Sequence, residues 1–254
     1  FLNERLQDEE AEVRREAAKA LGRIGKAEAV SALLLALARE GGIDRTEEHA
    51  LIYALIEIGD AKATFRGLAS ESSPTVRGAL IALDQMDSGR VSVDQVAPLL
   101  DSDDAALRRT AVEIVGRHAD AASRVVSQLD LWLSDDARGK ARRDTLGQLV
   151  AGFAGDPAVG AVVGRGLSSP ESSDETRRLL LETLASRSSL PLHDSWVVPI
   201  EKRLQSKDAA DVELGLAVAS AIQTDKFKTR FAEISADKSR STLLRVAALE
   251  AASG

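Results

Sequence analysis

The side chains able to do chemistry are few and scattered. His49, His118 and His193 stand far apart, and none has the i, i+4 partner that would chelate a metal from one helix face. Ser235-Ala236-Asp237-Lys238 spells a Ser-x-x-Lys nucleophile motif, but the companion motifs are missing and the segment is expected to be a turn. Gly160, Gly164 and Gly166 have neither the spacing nor the preceding strand of a phosphate-cradling loop; close helix packing is the expected use. Asp101-Ser102-Asp103-Asp104 lacks the glycine and distal glutamate of a calcium loop, so helix N-capping is expected there. The chain has no cysteine, which excludes disulfides, thiolate metal sites and thiol nucleophiles. No catalytic residue, metal ligand or cofactor site is expected, and no enzymatic activity.

The commonest polar feature is an arginine at the start of a helical segment: Arg14, Arg77, Arg108, Arg142, Arg177 and Arg245. Asp8, Asp103, Asp104, Asp136 and Asp174 precede them at matching phase. Pairing of guanidinium with carboxylate would fix each turn and tie one segment to the next. The alternative is a basic ridge for phosphates. The 254 residues carry 33 Lys+Arg against 40 Asp+Glu, a net charge of −7. That balance argues against wrapping a nucleic-acid backbone, which needs a basic surface.

Aromatic residues make up only 3% of the chain and hydrophobic residues 44%. The core must therefore come from Ala, Leu, Val and Ile, with Trp132 and Trp196 expected inside it. The longest apolar run, Ala32 to Ala38, falls far short of the roughly 18 residues of a membrane span. The first residues have no basic-then-apolar leader pattern and the last end a helical pattern, so a fragment of a longer multidomain protein is expected.

What must position these side chains is an internal repeat. Val13-Arg-Arg-Glu-Ala-Ala-Lys-Ala-Leu-Gly-Arg-Ile-Gly25 is restated by Leu107-Arg-Arg-Thr-Ala-Val-Glu-Ile-Val-Gly-Arg117, with weaker copies from Glu47, Val76, Ala141, Thr176, Val212 and Leu244. Successive starts lie 34, 29, 31, 34, 35, 36 and 32 residues apart. In the first copy Val13, Ala17, Ala20, Leu21 and Ile24 share one face of a 3.6-residue period. A second amphipathic stretch lies between copies: Ala29–Leu37, Val96–Leu100, Val125–Leu133, Trp196–Leu204 and Phe227–Ile234. Pro98, Pro157 and Pro199 are expected in first turns, where a missing N–H costs little. The expectation is a helix–turn–helix unit repeated eight times.

Positions two, six and ten residues after each copy's start lie opposite the apolar stripe and should line one face. They read Arg15/Lys19/Arg23, His49/Tyr53/Glu57, Arg109/Glu113/Arg117, Arg143/Gly147/Ala151, Arg178/Glu182/Ser186 and Leu214/Val218/Ile222. The charged and aromatic members, with Leu214, Val218 and Ile222, are the expected protein-binding residues. For the apolar line in the seventh copy two accounts compete: the helix is rotated so that the line packs inside, or the line docks a partner. Docking is favoured because Val212, Leu216 and Ala219 already supply a second apolar stripe for the core.

The pattern of Asp, then Val/Leu-Arg-Arg, then Ala-Ala-x-Ala-Leu-Gly-x-Ile-Gly resembles the HEAT repeat in its short bacterial, bilin-lyase-like form, over nearly the whole chain. That resemblance implies an all-α, right-handed α-α superhelix of about eight hairpins, here a single solenoid over 1–254, in which each unit stacks only on its neighbours. It implies a scaffold docking a protein or flanking domains along the second helices. Two other classes stand beside it: nucleic-acid binding through Arg15, Lys19 and Arg23, and an accessory subunit of an enzyme. In the second half, Glu175-Thr-Arg-Arg-Leu-Leu-Leu-Glu182, Leu190-Pro191, Ser195-Trp-Val197 and Leu243-Leu-Arg-Val-Ala-Ala-Leu249 resemble the helical segment of planctomycete-type proteins that link a dehydrogenase-like propeller to a haem-binding domain. That likeness implies an extracytoplasmic location; with no Cys-x-x-Cys-His in the chain, no haem residue carries over.

Overall fold

Short polar side chains stand where helices must begin, and the helices begin there. Asp44 accepts a hydrogen bond from the amide of Glu47 (2.7 Å), Asp104 from Leu107 (2.7 Å), Ser173 from Thr176 (3.2 Å) and Asp208 from Ala210 (2.8 Å). Each satisfies a donor that the first helical turn leaves unpaired. Gly25 and Gly59 close the helices Ala11–Ile24 and Arg45–Ile58 at a φ of 68°, a conformation that a side chain would strain.

The computed structural model describes residues 1–39, 41–222 and 224–253. They form two compact units, Phe1–Arg117 and His118–Gly254. The first contains α1 (Leu2–Arg5), α2 (Ala11–Ile24), α3 (Val30–Leu37), α4 (Arg45–Ile58), α5 (Ala61–Thr64), α6 (Ser73–Gln85), α7 (Val93–Val96) and α8 (Ala105–Val115), with 3-10 turns at Ala27–Ala29, Phe65–Ala69 and Ala97–Asp101. The second contains a 3-10 turn at Ala119–Ala121, then α9 (Ala122–Leu133), α10 (Asp136–Ala141), α11 (Arg143–Phe153), α12 (Pro157–Ser168), α13 (Asp174–Ala185), α14 (Asp194–Leu204), α15 (Ala209–Ala221), α16 (Lys228–Ala236) and α17 (Thr242–Ser253). No strand occurs among the described residues; Leu190 and Ile222 form one isolated bridge. No described helix is long and apolar enough to cross a membrane.

Seven of the eight copy starts fall inside the second arm of a hairpin; the other, Ala141, ends α10 two residues before α11 begins. In the first unit α2 packs on α4, α4 on α6 and α6 on α8; in the second α11 packs on α13, α13 on α15 and α15 on α17. Each unit is thus an all-α stack of helical hairpins of the kind the repeats imply. Leucine supplies most of the filling in the first unit, where Leu33, Leu37, Leu51, Leu55, Leu80 and Leu83 are inside. Trp132, Trp196 and Phe227 anchor the second. Each such side chain contributes about 1.5–3 kcal/mol. Small residues set the spacing. A Cβ on Gly22 would come within 2.9 Å of the Ala54 Cα, and one on Gly164 within 1.7 Å of the Ser195 hydroxyl.

Several expectations need correcting. In α2, Ala17 and Leu21 are buried as expected, but Val13 and Ile24 are exposed, and Arg14, Ala18 and Gly22 are buried in their place. The helix turns its small residues toward α4, which brings Arg14 onto Glu47. Pro199 lies inside α14, not in its first turn, and Ser235 lies in α16, bonding the Ala232 carbonyl at 2.8 Å. The largest correction is α15. Val218 and Ile222, expected to dock a partner, are 0% and 2% exposed, and Leu214 is half-buried. α15 packs against α13, α14 and α17, and the segment after α13 folds back so that the Leu190 amide donates to the Ala221 carbonyl (3.0 Å). These neighbours cover both apolar stripes of α15, while Glu213, Ala217 and Ser220 stay exposed. Val218→Ser should lower the unfolding free energy by about 2–4 kcal/mol, from cavity and polar-burial costs together. Urea titration checks this; a loss under about 0.5 kcal/mol, the usual range for a surface position, would contradict the burial.

Candidate protein-docking face

Four of the six repeated arginines hold turns together through main-chain carbonyls. Arg14 donates to the carbonyls of Asp8 and Glu9 (both 2.8 Å), Arg108 to those of Ser102 (2.6 Å) and Asp103 (2.9 Å), Arg177 to that of Ser169 (2.9 Å) and Arg245 to that of Ser235 (2.8 Å). Of these four, Arg177 also takes its expected aspartate, Asp174, at 2.7 Å. A guanidinium has enough donors to gather two carbonyls and still reach a carboxylate.

A second set of contacts joins neighbouring hairpins, and its partners stand about one repeat period apart in sequence. Arg14 makes a fork to Glu47, with Nε to Oε1 and Nη2 to Oε2 both 2.6 Å, and both side chains are buried. Arg15 reaches Asp44 (3.3 Å), Arg77 pairs with Glu48, and Arg117 pairs with Asp84. In the second unit Arg143 reaches Glu175 (3.2 Å) and Glu182 (3.9 Å), while Arg178 also holds Glu182 (2.8 Å). Asp136 of α10 accepts from the Ser173 amide (3.0 Å) and the Thr176 hydroxyl (2.8 Å) at the start of α13, and from Lys140 (3.0 Å).

These contacts sort the expected binding residues into three kinds. Val218, Ile222 and, in part, Leu214 belong to the core. Arg15, Lys19, Arg117, Arg143, Arg178 and Glu182 lie at the surface but are engaged: Arg15 also holds Glu12 (2.7 Å), and Lys19 holds Glu16 (2.7 Å). Arg23, His49, Tyr53, Glu57, Arg109 and Glu113 are exposed and make no ion pair among the described residues. His49 and Tyr53 stack on one another, with ring centroids 6.3 Å apart and planes 6° from parallel. Tyr53 remains 50% exposed. The ridge skips α6, where the corresponding positions Gly78, Ala82 and Met86 are buried.

Other candidates make packing and hydrogen-bond contacts within the second unit. His193 accepts at the start of α14 through the Ser195 amide (3.3 Å), and its ring lies against Gly160. Trp196 donates to the Gly160 carbonyl at 2.8 Å. Gly166 lies against Leu133 and Leu180. Among the described residues no group of three or more His, Cys, Asp or Glu could hold a metal ion.

Sequence reasoning missed Glu47 and the bridging role of Asp136. A scan for opposite charges one repeat period apart would have found Arg14 with Glu47. Asp136 could not have been found so, because its partners are a hydroxyl and a backbone amide.

Burial raises the Asp136 pKa, but hydrogen bonds from Ser173 and Thr176, with Lys140, outweigh it and hold the carboxyl well below the usual carboxylate range. The folded state thus stays ionised at pH values where the unfolded chain takes up a proton. The stabilisation is complete above about pH 4, the unfolded value, and is lost as pH falls below it. Asp136→Asn should cost about 1–3 kcal/mol at pH 7 and flatten the acid branch of the stability profile between about pH 4 and 2. Urea midpoints across that range test it; an unchanged acid slope would contradict the staple.

Residues 1–55 match the family model for HEAT repeats. No curated protein matches the chain in sequence. Among solved structures, the chain is similar to the complex of CpcE and CpcF of phycocyanin lyase from Nostoc sp. PCC7120, at 17% identity and a TM-score of 0.33, covering 99% of this chain and 92% of that one. It is also similar to the archaeal HEAT-like repeats protein from Thermococcus onnurineus NA1, at 18% identity and a TM-score of 0.29, covering 99% and 94%.

Proposed function

We propose that this protein is a non-catalytic helical-repeat scaffold that binds another protein along the exposed face of its second helices. One observation carries this reading. In the first unit an exposed aromatic pair, His49 and Tyr53, shares that face with Arg23, Glu57, Arg109 and Glu113, none of which is taken up in holding the stack. A large, rigid aromatic side chain beside charges of both signs suits a protein surface. The match of residues 1–55 to HEAT repeats supports it, since repeat stacks present long surfaces for binding.

The basic end fits a nucleic-acid backbone less well. Arg15 and Lys19 already pair with Glu12, Asp44 and Glu16, which leaves Arg23 alone there.

A photoreactive amino acid placed at Tyr53 or Arg109 should crosslink partner protein in cells of the source organism. The same group at Leu35, which is exposed on the first-helix side, should not. Crosslinking at Leu35 and none at Tyr53 would overturn the assignment of the face.

A further inference from the structure

A groove of about 780 Å³ runs between α15 and α17 in the second unit. Its lining includes the apolar Leu216, Ile222 and Phe231, and small side chains along both helices, among them Ala217 and Ala247. Glu213 from α15 and Glu250 from α17 line it as well. Neither carboxylate has a hydrogen bond or ion pair among the described residues. Lys228, the cation that also lines the groove, is already held by Asp225 at 2.8 Å.

The register of the repeats shows what is missing. Glu250 stands six residues after the start of its copy, as Glu182 does in α13. Glu182 receives two arginines, Arg143 from the preceding second helix and Arg178 from its own. Arg143 and Arg178 both occupy the position two residues after a copy start. The residues at that position that would serve Glu250 are Leu214 in α15 and Val246 in α17. The carboxylate is in place and both of its cations have become apolar, so the side chains that close the face between α11 and α13 leave a groove between α15 and α17.

We propose that this groove binds a segment of a partner protein that lays an apolar side chain against Ala217, Ala247 and Ala251, above the buried Leu216 and Phe231, and presents arginine or lysine to Glu250 and Glu213. The proposal rests on the scaffold reading above and names the chemistry of its partner. The occupant follows from charge complementarity: an alanine-lined groove with two unpaired carboxylates, a third carboxylate at Asp225 and, among the described lining residues, no cation but the paired Lys228 selects a basic amphipathic segment and rejects an acidic one.

The test uses the full chain and two fluorescent twelve-residue peptides of alternating leucine–alanine and charged positions, one carrying arginine and its twin carrying glutamate. Anisotropy should show the arginine peptide binding at least tenfold tighter than the glutamate peptide. Glu250→Gln should weaken it about threefold, the scale of one partly exposed charge pair, and Glu213→Gln with Glu250→Gln should weaken it further. Ala217→Trp, which fills the trough from an exposed position, should abolish binding, and thermal melts confirm that each variant stays folded. Glu113→Gln, on the first unit, should leave binding unchanged. Absent or charge-indifferent binding, or binding insensitive to Glu250→Gln and Ala217→Trp, overturns the proposal. If binding instead drops with Glu113→Gln alone, the groove is refuted while the scaffold reading stands; if crosslinking at Tyr53 also fails, both fall.

Discussion

Between α2 and α4 the Arg14 guanidinium lays two parallel hydrogen bonds onto Glu47, 33 residues further along, where water barely reaches either group. Taking both charges out of water is costly, and only the fork geometry and the added carbonyls of Asp8 and Glu9 offset it. The pair adds little net stability over an apolar replacement, but losing one partner would cost about 3–5 kcal/mol. Its effect is to fix which turn of one hairpin faces which turn of the next. The stacking energy comes from the leucines and alanines, which a hairpin without neighbours would leave in contact with water.

The same one-period geometry divides the charged residues by role. Arg117 with Asp84 and Arg143 with Glu175 are surface contacts worth at most about 1 kcal/mol each, while Arg77 with Glu48 is partly buried. Their larger consequence is to occupy side chains that would otherwise face a partner. What they leave over is specific: Arg23, the His49–Tyr53 stack, Glu57, Arg109 and Glu113 in the first unit, and Glu213 with Glu250 beside the groove in the second. A scaffold needs surface chemistry that its own fold has not consumed, and those residues meet that condition.

The period, the helices and the eight copies were legible in the sequence because a repeated apolar stripe leaves a strong signal. The fate of individual faces was not. Val218 and Ile222 share a face with polar residues of other copies, and only the segment around Leu190 folding back, with α13, α14 and α17 packed on α15, decides that they are buried. Val13 and Ile24 failed in the opposite sense, because Ala18 and Gly22 allow a closer approach to α4 than larger residues would. Pattern reading assigns apolar residues to the core one helix at a time; closeness of approach and return segments are properties of pairs.

Each hairpin draws its order from the hairpins beside it, with Arg14 and Glu47 setting the first junction. Hydrogen exchange on Glu47→Gln, read helix by helix against the unaltered chain, tests this most directly. Amide protection should fall most in α2 and α4, less in α6 and least in α8, because loosening passes only through shared faces. Equal loss from α2 through α8, or unchanged protection in α2 and α4, would contradict it.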